Sequence, residues 1–379
     1  MTNWEEQKFG DLYLIPSRNG LTRPSSVRGA GYKFINMGEI FSYNRIGNIE
    51  TELVQLNEKE KKEMTLQKND LLFARQSLVF SGAGKCSIML DVEDVVSFES
   101  HLIRVRLNPE IANPMFYYYY FSLPYNSVKT IVQQCAQAGI RGSDLEKIKV
   151  PCPHIEIQNQ IADILSTYDD LIEANNRRIE LLEQTAQELY KEWFVRFRFP
   201  GYENAKFEDE IPEGWEYCRL GKILSFGAGK TRPKSGETYP VYVSNGILDY
   251  CNNYNSENAI IIARVGIYCG TVYYEPDKCW ISDNTLFAEG KNSMHFYNYY
   301  LPKNMNLNAR QIGTGQPLIT QGLLNKIRIL LPVESLMMKY NQIASELLKQ
   351  RGLLRKMNVN IAAQHDILIH RLMSGKLEV

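Results

Sequence analysis

Asn69-Asp70-Leu71-Leu72-Phe73-Ala74-Arg75 is answered, roughly 190 residues further on, by Asn258-Ala259-Ile260-Ile261-Ile262-Ala263-Arg264. Each is a short apolar run that closes on Ala-Arg, the pattern of a buried strand ending at an arginine. Working outward from this pair, other landmarks recur in the same order. Upstream, Trp4 with Phe9-Gly10-Asp11-Leu12 matches Trp215 with Leu220-Gly221-Lys222-Ile223, and a polar, glycine-rich stretch follows each. Downstream, Ser100-His101-Leu102-Ile103 matches Asn284-Thr285-Leu286-Phe287, and aromatic runs occupy 116–121 and 296–301. Lys147-Ile148-Lys149-Val150-Pro151 then matches Lys326-Ile327-Arg328-Ile329-Leu330, with Pro153 and Pro332 closing the segments. The chain is a two-fold repeat with a period of roughly 180 to 210 residues, drifting because the loops differ in length.

Each repeat ends in a long helical pattern. In the first, Ile161, Leu165, Tyr168, Ile172, Asn175, Ile179, Leu182, Ala186, Leu189 and Trp193 alternate four and three apart, the seam of a coiled coil. In the second, Ile343, Leu347, Gln350, Leu354, Met357, Ile361, Gln364 and Leu368 keep the alternation. Each pattern covers roughly 35 to 40 residues, about 50 to 60 Å at 1.5 Å per residue. Helices this long with one apolar stripe need a partner, and each supplies the other's. The expected arrangement is an intramolecular antiparallel coiled coil holding the two globular halves at its ends. Leu165, Ile172, Ile179 and Leu182 form one side of the spacer, and Leu347, Leu354, Ile361 and Leu368 the other. The expected fold class is α+β, with two similar mixed α/β domains at 1–152 and 215–332. The spacer helices lie in 153–196 and 333–379. Residues 197–214, rich in turn formers and without periodicity, form a linker.

Composition narrows the function. A chain of 379 residues with 44% hydrophobic content exceeds the usual single-domain size. No run of eighteen apolar residues occurs, and Met1-Thr2-Asn3-Trp4-Glu5-Glu6 lacks the basic-then-apolar order of a signal peptide, so the chain reads as cytoplasmic and without a membrane segment. Seven cysteines, an odd number without a CxxC pair, fit a reducing compartment better than a disulfide framework or a zinc site. A formal net charge of +0 excludes nucleic-acid binding by bulk electrostatics; any such binding is local or shared with a partner.

Several stretches resemble the specificity subunits of type I restriction-modification systems, and the resemblance covers almost the whole chain. The most specific are Gln158-Asn159-Gln160-Ile161-Ala162-Asp163-Ile164-Leu165, Ile179-Glu180-Leu181-Leu182 and the closing Leu372-Met373-Ser374-Gly375-Lys376-Leu377. Phe207-Glu208-Asp209-Glu210-Ile211-Pro212-Glu213-Gly214-Trp215 is similar to the family's entry into its second domain, as are Gly229-Lys230-Thr231-Arg232-Pro233 and Tyr239-Pro240-Val241-Tyr242. The resemblance implies two target recognition domains, each reading half of a split double-stranded DNA site. It also implies helices that set the spacing and dock two methyltransferase subunits and, through them, restriction/translocase subunits. S-adenosylmethionine, ATP and magnesium would belong to those partners, with no cofactor in this chain. Independently of the family, a duplicated protein with a rigid spacer suits two similar objects at a fixed separation.

Readers of base sequence need Arg or Lys for guanine, Asn or Gln for adenine, and cations for phosphate. In the first domain Arg18, Arg23, Arg28 and Lys33 form a cationic stretch free of carboxylates, and Lys230, Thr231, Arg232 and Lys234 stand at the corresponding place in the second. Arg75, Gln76 and Ser77 follow one buried strand and Arg264 the other. His101, Asn284 and Thr285 are further candidates, as are Arg141 in one late loop and Arg310, Gln311 and Gln316 in the other. The aromatic runs read as core, where a helix packs on its domain, rather than as platforms for unpaired bases.

Enzyme signatures are weak. Gly227-Ala228-Gly229-Lys230-Thr231 lacks the first glycine of a phosphate loop, and Arg232 with Pro233 would interrupt the helix that should follow. Asn113-Pro114-Met115-Phe116 approaches an amino-methyltransferase tetrad but lacks its second proline and any glycine-rich cofactor motif. His365 and His370, five apart, do not share a helix face for a metal. The strongest alternative is a magnesium-dependent endonuclease built on Pro276-Asp277 with Glu289-Gly290-Lys291, where two carboxylates would hold the ion and a lysine assist the attacking water.

Overall fold

The computed structural model describes residues 4–134, 138–310 and 317–377. By compactness the chain divides into two units, Met1–Ala174 with Asn358–Val379, and Asn175–Met357.

The first unit centres on a five-stranded sheet in the order Tyr13–Asn19, Leu102–Leu107, Leu71–Ala74, Cys86–Met89, Arg45–Ile46. Leu71–Ala74 is buried at every position, which is why its sequence is continuously apolar rather than alternating. A second sheet sets Arg28–Ile35 antiparallel to Glu52–Val54 and parallel to Val96–Phe98. A third pairs Glu6–Lys8 with Lys149–Pro151.

The second unit repeats this plan. Its main sheet runs Leu224–Ala228, Thr285–Gly290, Ala259–Ala263, Val272–Glu275. Tyr239–Val243 lies antiparallel to Gly246–Cys251 and parallel to Trp280–Ile281, and Glu216–Arg219 pairs with Arg328–Leu331. The duplication read from isolated phrases is therefore a duplication of topology.

The aromatic runs are core. Helix Pro114–Ser122 starts with proline at its first turn and is capped by Asn113, whose side chain accepts from the N–H groups of Met115 and Phe116. Phe116, Tyr117, Tyr119 and Phe121 are buried, with Phe9 and Phe73 edge-on to Phe121 at 4.8 and 5.0 Å. In the second unit, helix His295–Lys303 buries Tyr297, Tyr299 and Tyr300.

Two 40-residue helices, Ile155–Phe194 and Glu334–Met373, contribute to both units. In the first unit Ile161 and Leu165 share a core with Ile369 and Leu372. In the second, Ala186 and Tyr190 share one with Tyr340, Ala344 and Leu348, and the Tyr340 hydroxyl donates to the Ala186 carbonyl at 2.9 Å. Within each unit residue numbers rise on one helix as they fall on the other, so the two helices run antiparallel there. The first seam holds: Leu165, Asn175, Ile179 and Ala186 are buried, and Ile172 and Leu182 half-buried. The second seam needs a correction. Leu354 is buried and Leu347, Ile361 and Leu368 are half-buried, but Ile343 and Met357 are 42% and 48% exposed, and Gln350 and Gln364 face outward. The positions one residue later, Ala344, Arg351, Asn358 and His365, turn inward instead. Three of these are polar, so a reading by apolar identity chose their exposed neighbours.

The segment joining the second domain is ordered. Asp209 and Glu210 both hold positive φ in the turn between Phe207–Glu208 and Ile211–Pro212, the geometry of a tight hairpin. Phe197 and Phe199 pack on Trp215 at 5.3 and 5.8 Å. Among the described residues, no helix is long and apolar enough to cross a membrane.

Candidate nucleic-acid interface

The arginines that end the paired strands occupy one hydrogen-bond environment built twice. The Arg75 N–H donates to the His101 carbonyl at 2.8 Å, and the Arg75 carbonyl accepts from the Ile140 N–H at 2.9 Å. The Arg264 N–H donates to the Asn284 carbonyl at 3.1 Å, and its carbonyl accepts from the Ile319 N–H at 2.9 Å. The preceding alanines agree: Ala74 bonds Lys85 and Gly84 as Ala263 bonds Thr271 and Gly270. Gly84 and Gly270 both adopt positive φ, 74° and 91°, where a β-carbon is disfavoured. The loop that leaves each arginine is thus clamped at both ends in the same way.

A second correspondence lies upstream. Gly20-Leu21-Thr22-Arg23-Pro24 and Gly229-Lys230-Thr231-Arg232-Pro233 share a G-x-T-R-P phrase. Gly20 and Leu21 donate to the carbonyls of Leu102 and Phe98; Gly229 and Lys230 donate to those of Thr285 and Ile281. A β-carbon on Gly20 would stand 2.2 Å from the Phe98 carbonyl oxygen, and one on Gly229 would stand 2.0 Å from that of Ser282. Only glycine lets the chain cross the sheet here. Both arginines of the phrase are tied to a carboxylate, Arg23 to Glu60 at 2.6 Å and Arg232 to Asp249 at 2.7 Å. Arg23 holds the Glu60 carboxyl below its ordinary range; Asp249 is lowered first by the Ser235 hydroxyl and then by the Tyr250 N–H and Arg232.

The stretch holding Arg18, Arg23, Arg28 and Lys33 is not the carboxylate-free loop expected. Arg18 stands on Tyr13–Asn19, and Arg28 and Lys33 on Arg28–Ile35. Acidic side chains from later in the chain reach all four: Glu63 for Arg18 at 2.8 Å, Glu60 for Arg23, Glu52 for Arg28, and Asp94 for Lys33 at 3.1 Å. The Arg18–Glu63 pair, with both side chains more than 40% exposed, is a surface pair worth little to stability.

Arg18, Arg75 and Arg141 come together with Glu146 around one open cleft of about 360 Å³. Arg75 makes one long bond to the Ser100 carbonyl, 3.4 Å, and neither Arg75 nor Arg141 forms an ion pair among the described residues. Gln76 and Ser77, half-buried, pair with Ala138–Gly139. His101 is half exposed beside Glu99. In the second domain Lys230, Thr231, Arg232, Lys234 and Asn284 are exposed, and Arg264 is half-buried. Arg310 is exposed with its Nε on the Met305 carbonyl. Thr285 is fully buried, and its hydroxyl donates to the Ser282 carbonyl at 2.7 Å, so it is a structural residue and not a contact. Gln311 and Gln316 lie outside the described residues.

The endonuclease constellation is pulled apart. Glu289 sits on Thr285–Gly290 and Asp277 follows Val272–Glu275, with the strand Ala259–Ala263 between them. Two strand spacings set the backbones of their strands roughly 9.5 Å apart. Lys291 is spent on the Gly221 carbonyl at 2.6 Å. Among the described residues, no group of three His, Cys, Asp or Glu is placed to hold a metal.

The sequence profile of the type I restriction modification DNA specificity domain matches residues 1–184 and 212–350, one copy per repeat. The chain belongs to this family. Within the type I specificity family it is similar to the Type I restriction enzyme MjaIX specificity subunit of Methanocaldococcus jannaschii, 26% identical over 278 residues, 63% of either chain. It is also 26% identical over 231 residues to the MjaVIII specificity subunit of the same organism, covering 60% of this chain and 51% of that one. The chain thus spans less than two thirds of the length of these specificity subunits. In fold it is similar to the crystal structure of the S subunit of a type I restriction-modification system from M. genitalium, with TM-score 0.60, 15% identity, and coverage of 98% of this chain and 96% of that one.

Proposed function

We propose that this chain is the DNA-reading subunit of a type I restriction-modification complex, each recognition domain contacting one half of a bipartite double-stranded site. The observation that carries the reading is the duplicated arginine-ended strand with its bond-for-bond equivalent G-x-T-R-P turn, because two copies of one reading surface suit two half-sites. The antiparallel helices set the spacing and dock two methyltransferase subunits, which in turn bring restriction/translocase subunits. The chain itself is non-catalytic and works in the cytoplasm. S-adenosylmethionine, ATP and magnesium are bound by the partner subunits. A neutral chain accords with this division of labour, since phosphate neutralisation is then shared across the complex.

The test is to express the chain with its modification subunits and sequence the methylated motif. A split motif is expected. Exchange of residues 214–326 for those of a relative should change one half of it and keep the other. A motif in which both halves change together would refute the assignment of one half-site to each domain.

A further inference from the structure

The two most exposed large apolar side chains among the described residues are Leu78 and Ile267, each 87% exposed. They lie in different units, yet each is the third residue after the arginine that ends the central buried strand, Arg75 in one domain and Arg264 in the other. Single exposed aliphatic residues are common and mean little. Two that are the extremes among the described residues and fall at the same offset in both repeats are not explained by chance exposure. Each has a second apolar residue beside it, Val79 at 60% and Tyr268 at 47% exposed.

The loops that carry them are not loose. Gln76 and Ser77 pair with Gly139 and Ala138 at the base of one; Val265 bridges Leu318 at the base of the other. Within the tips, the Gly82 N–H donates to the Val79 carbonyl and the Cys269 N–H to that of Gly266. The aliphatic groups are therefore held out from a hydrogen-bonded base, next to Arg75 and Arg264. Among the described residues, none covers them.

We infer that Leu78 and Ile267 are wedges, each entering the base stack of its own half-site and easing the opening of the helix at the base that is modified. The inference rests on the functional reading above. An enzyme that alters a base within a duplex must take that base out of the stack, which costs stacking energy. Aliphatic side chains inserted between base steps are a recurrent way to meet that cost, and the role needs only an apolar body. That accounts for leucine in one copy and isoleucine in the other. A contact that read a particular base would vary in chemistry with the sequence read.

The experiment uses the full chain assembled with its modification subunits and a duplex carrying the methylated motif. The duplex is prepared in two forms, one fully paired and one with the nucleotide opposite the target base replaced by an abasic residue, so that the step is already loosened. Leu78→Ser should weaken binding to the paired duplex by about tenfold, since unstacking is no longer assisted. Binding to the loosened duplex should stay within about twofold. With 2-aminopurine at the target position, the fluorescence rise on binding should fall in the first half-site alone; Ile267→Ser should do the same in the second. Leu78→Ile and Ile267→Leu should behave as the parent. Equal losses on both duplexes, or no loss on either, would overturn the wedge while leaving the specificity reading intact. Failure of the parent complex to prefer its motif over a scrambled duplex would overturn the specificity reading, and the wedge with it.

Discussion

Arg351 is enclosed between the two long helices against Glu183, its Nη1 donating to the carboxylate at 2.9 Å while only 4% of the residue is exposed. Arg355 touches the same carboxylate oxygen at 3.2 Å. A guanidinium thus occupies a seam position where a coiled coil ordinarily places an aliphatic residue.

Glu183→Ala should therefore destabilise the second unit, because it strands a buried charge. Removing one partner of a fully buried pair costs about 3–5 kcal/mol, and the one-third exposure of the Glu183 side chain reduces this to about 2–3 kcal/mol. Replacing both partners, Glu183→Gln with Arg351→Met, should restore most of the loss. Urea titrations of the three proteins check the sign: a double variant less stable than Glu183→Ala would show that the pair stabilises the helices beyond satisfying itself.

Gly20→Ala and Gly229→Ala should each distort the turn they occupy, since the added carbon meets a backbone carbonyl that has no side-chain freedom to yield. A cost of about 1–3 kcal/mol is expected for each. Limited proteolysis should open 20–28 in the first variant and 229–236 in the second, each without effect on the other domain. An unchanged thermal midpoint in either variant would show that the close approach is relieved by movement of the sheet.

How far the sequence disclosed this arrangement depends on the distance over which the signal acts. The strands ending in Arg75 and Arg264, the aromatic cores and the first helical seam are local patterns, and all were legible. The pairing of Arg18 with Glu63 and of Lys33 with Asp94 was not, because each partner is dozens of residues away and reaches it only through the sheet. The second seam was misread at Arg351 and His365 for a related reason: their burial is compensated by Glu183 and approached by Asp169, at 4.0 Å, both on the other helix. Thr285 looks like a polar contact in sequence, and only the intraloop bond to Ser282 reveals that its hydroxyl is occupied. The repeated G-x-T-R-P phrase is legible in the sequence when the two halves are set in register on their arginine-ended strands.

Arg75→Ala and Arg141→Ala should weaken DNA binding by the assembled complex across all sequences alike. If each contacts one phosphate, the slope of log K against log salt should shrink by about 0.9 per substitution. A loss confined to one base of the motif, with an unchanged slope, would instead make the residue a base reader.

Glu63→Gln acts in the opposite direction. The Glu63 carboxyl is held below its ordinary range chiefly by Arg18, so the pair is formed at neutral pH. Removing the charge frees Arg18 beside the cleft it shares with Arg75 and Arg141. Non-specific affinity at low salt should rise roughly two- to fivefold and converge with the parent as salt increases. A fall in affinity would mean that Glu63 positions Arg18 for binding instead of competing for it.

The second unit is drawn from one unbroken segment, Asn175–Met357, whereas the first needs residues from both sides of it. During translation the first unit is therefore begun first and closed last. Ile161 and Leu165 leave the ribosome long before Ile369 and Leu372, the residues that share their core, have been made. In that interval the later unit can complete its own packing while the earlier one waits with an uncovered stripe. Any product that stops within the second unit keeps that stripe exposed, so chaperones and proteases would distinguish it from the longer chain by its first half, not by the part that is missing.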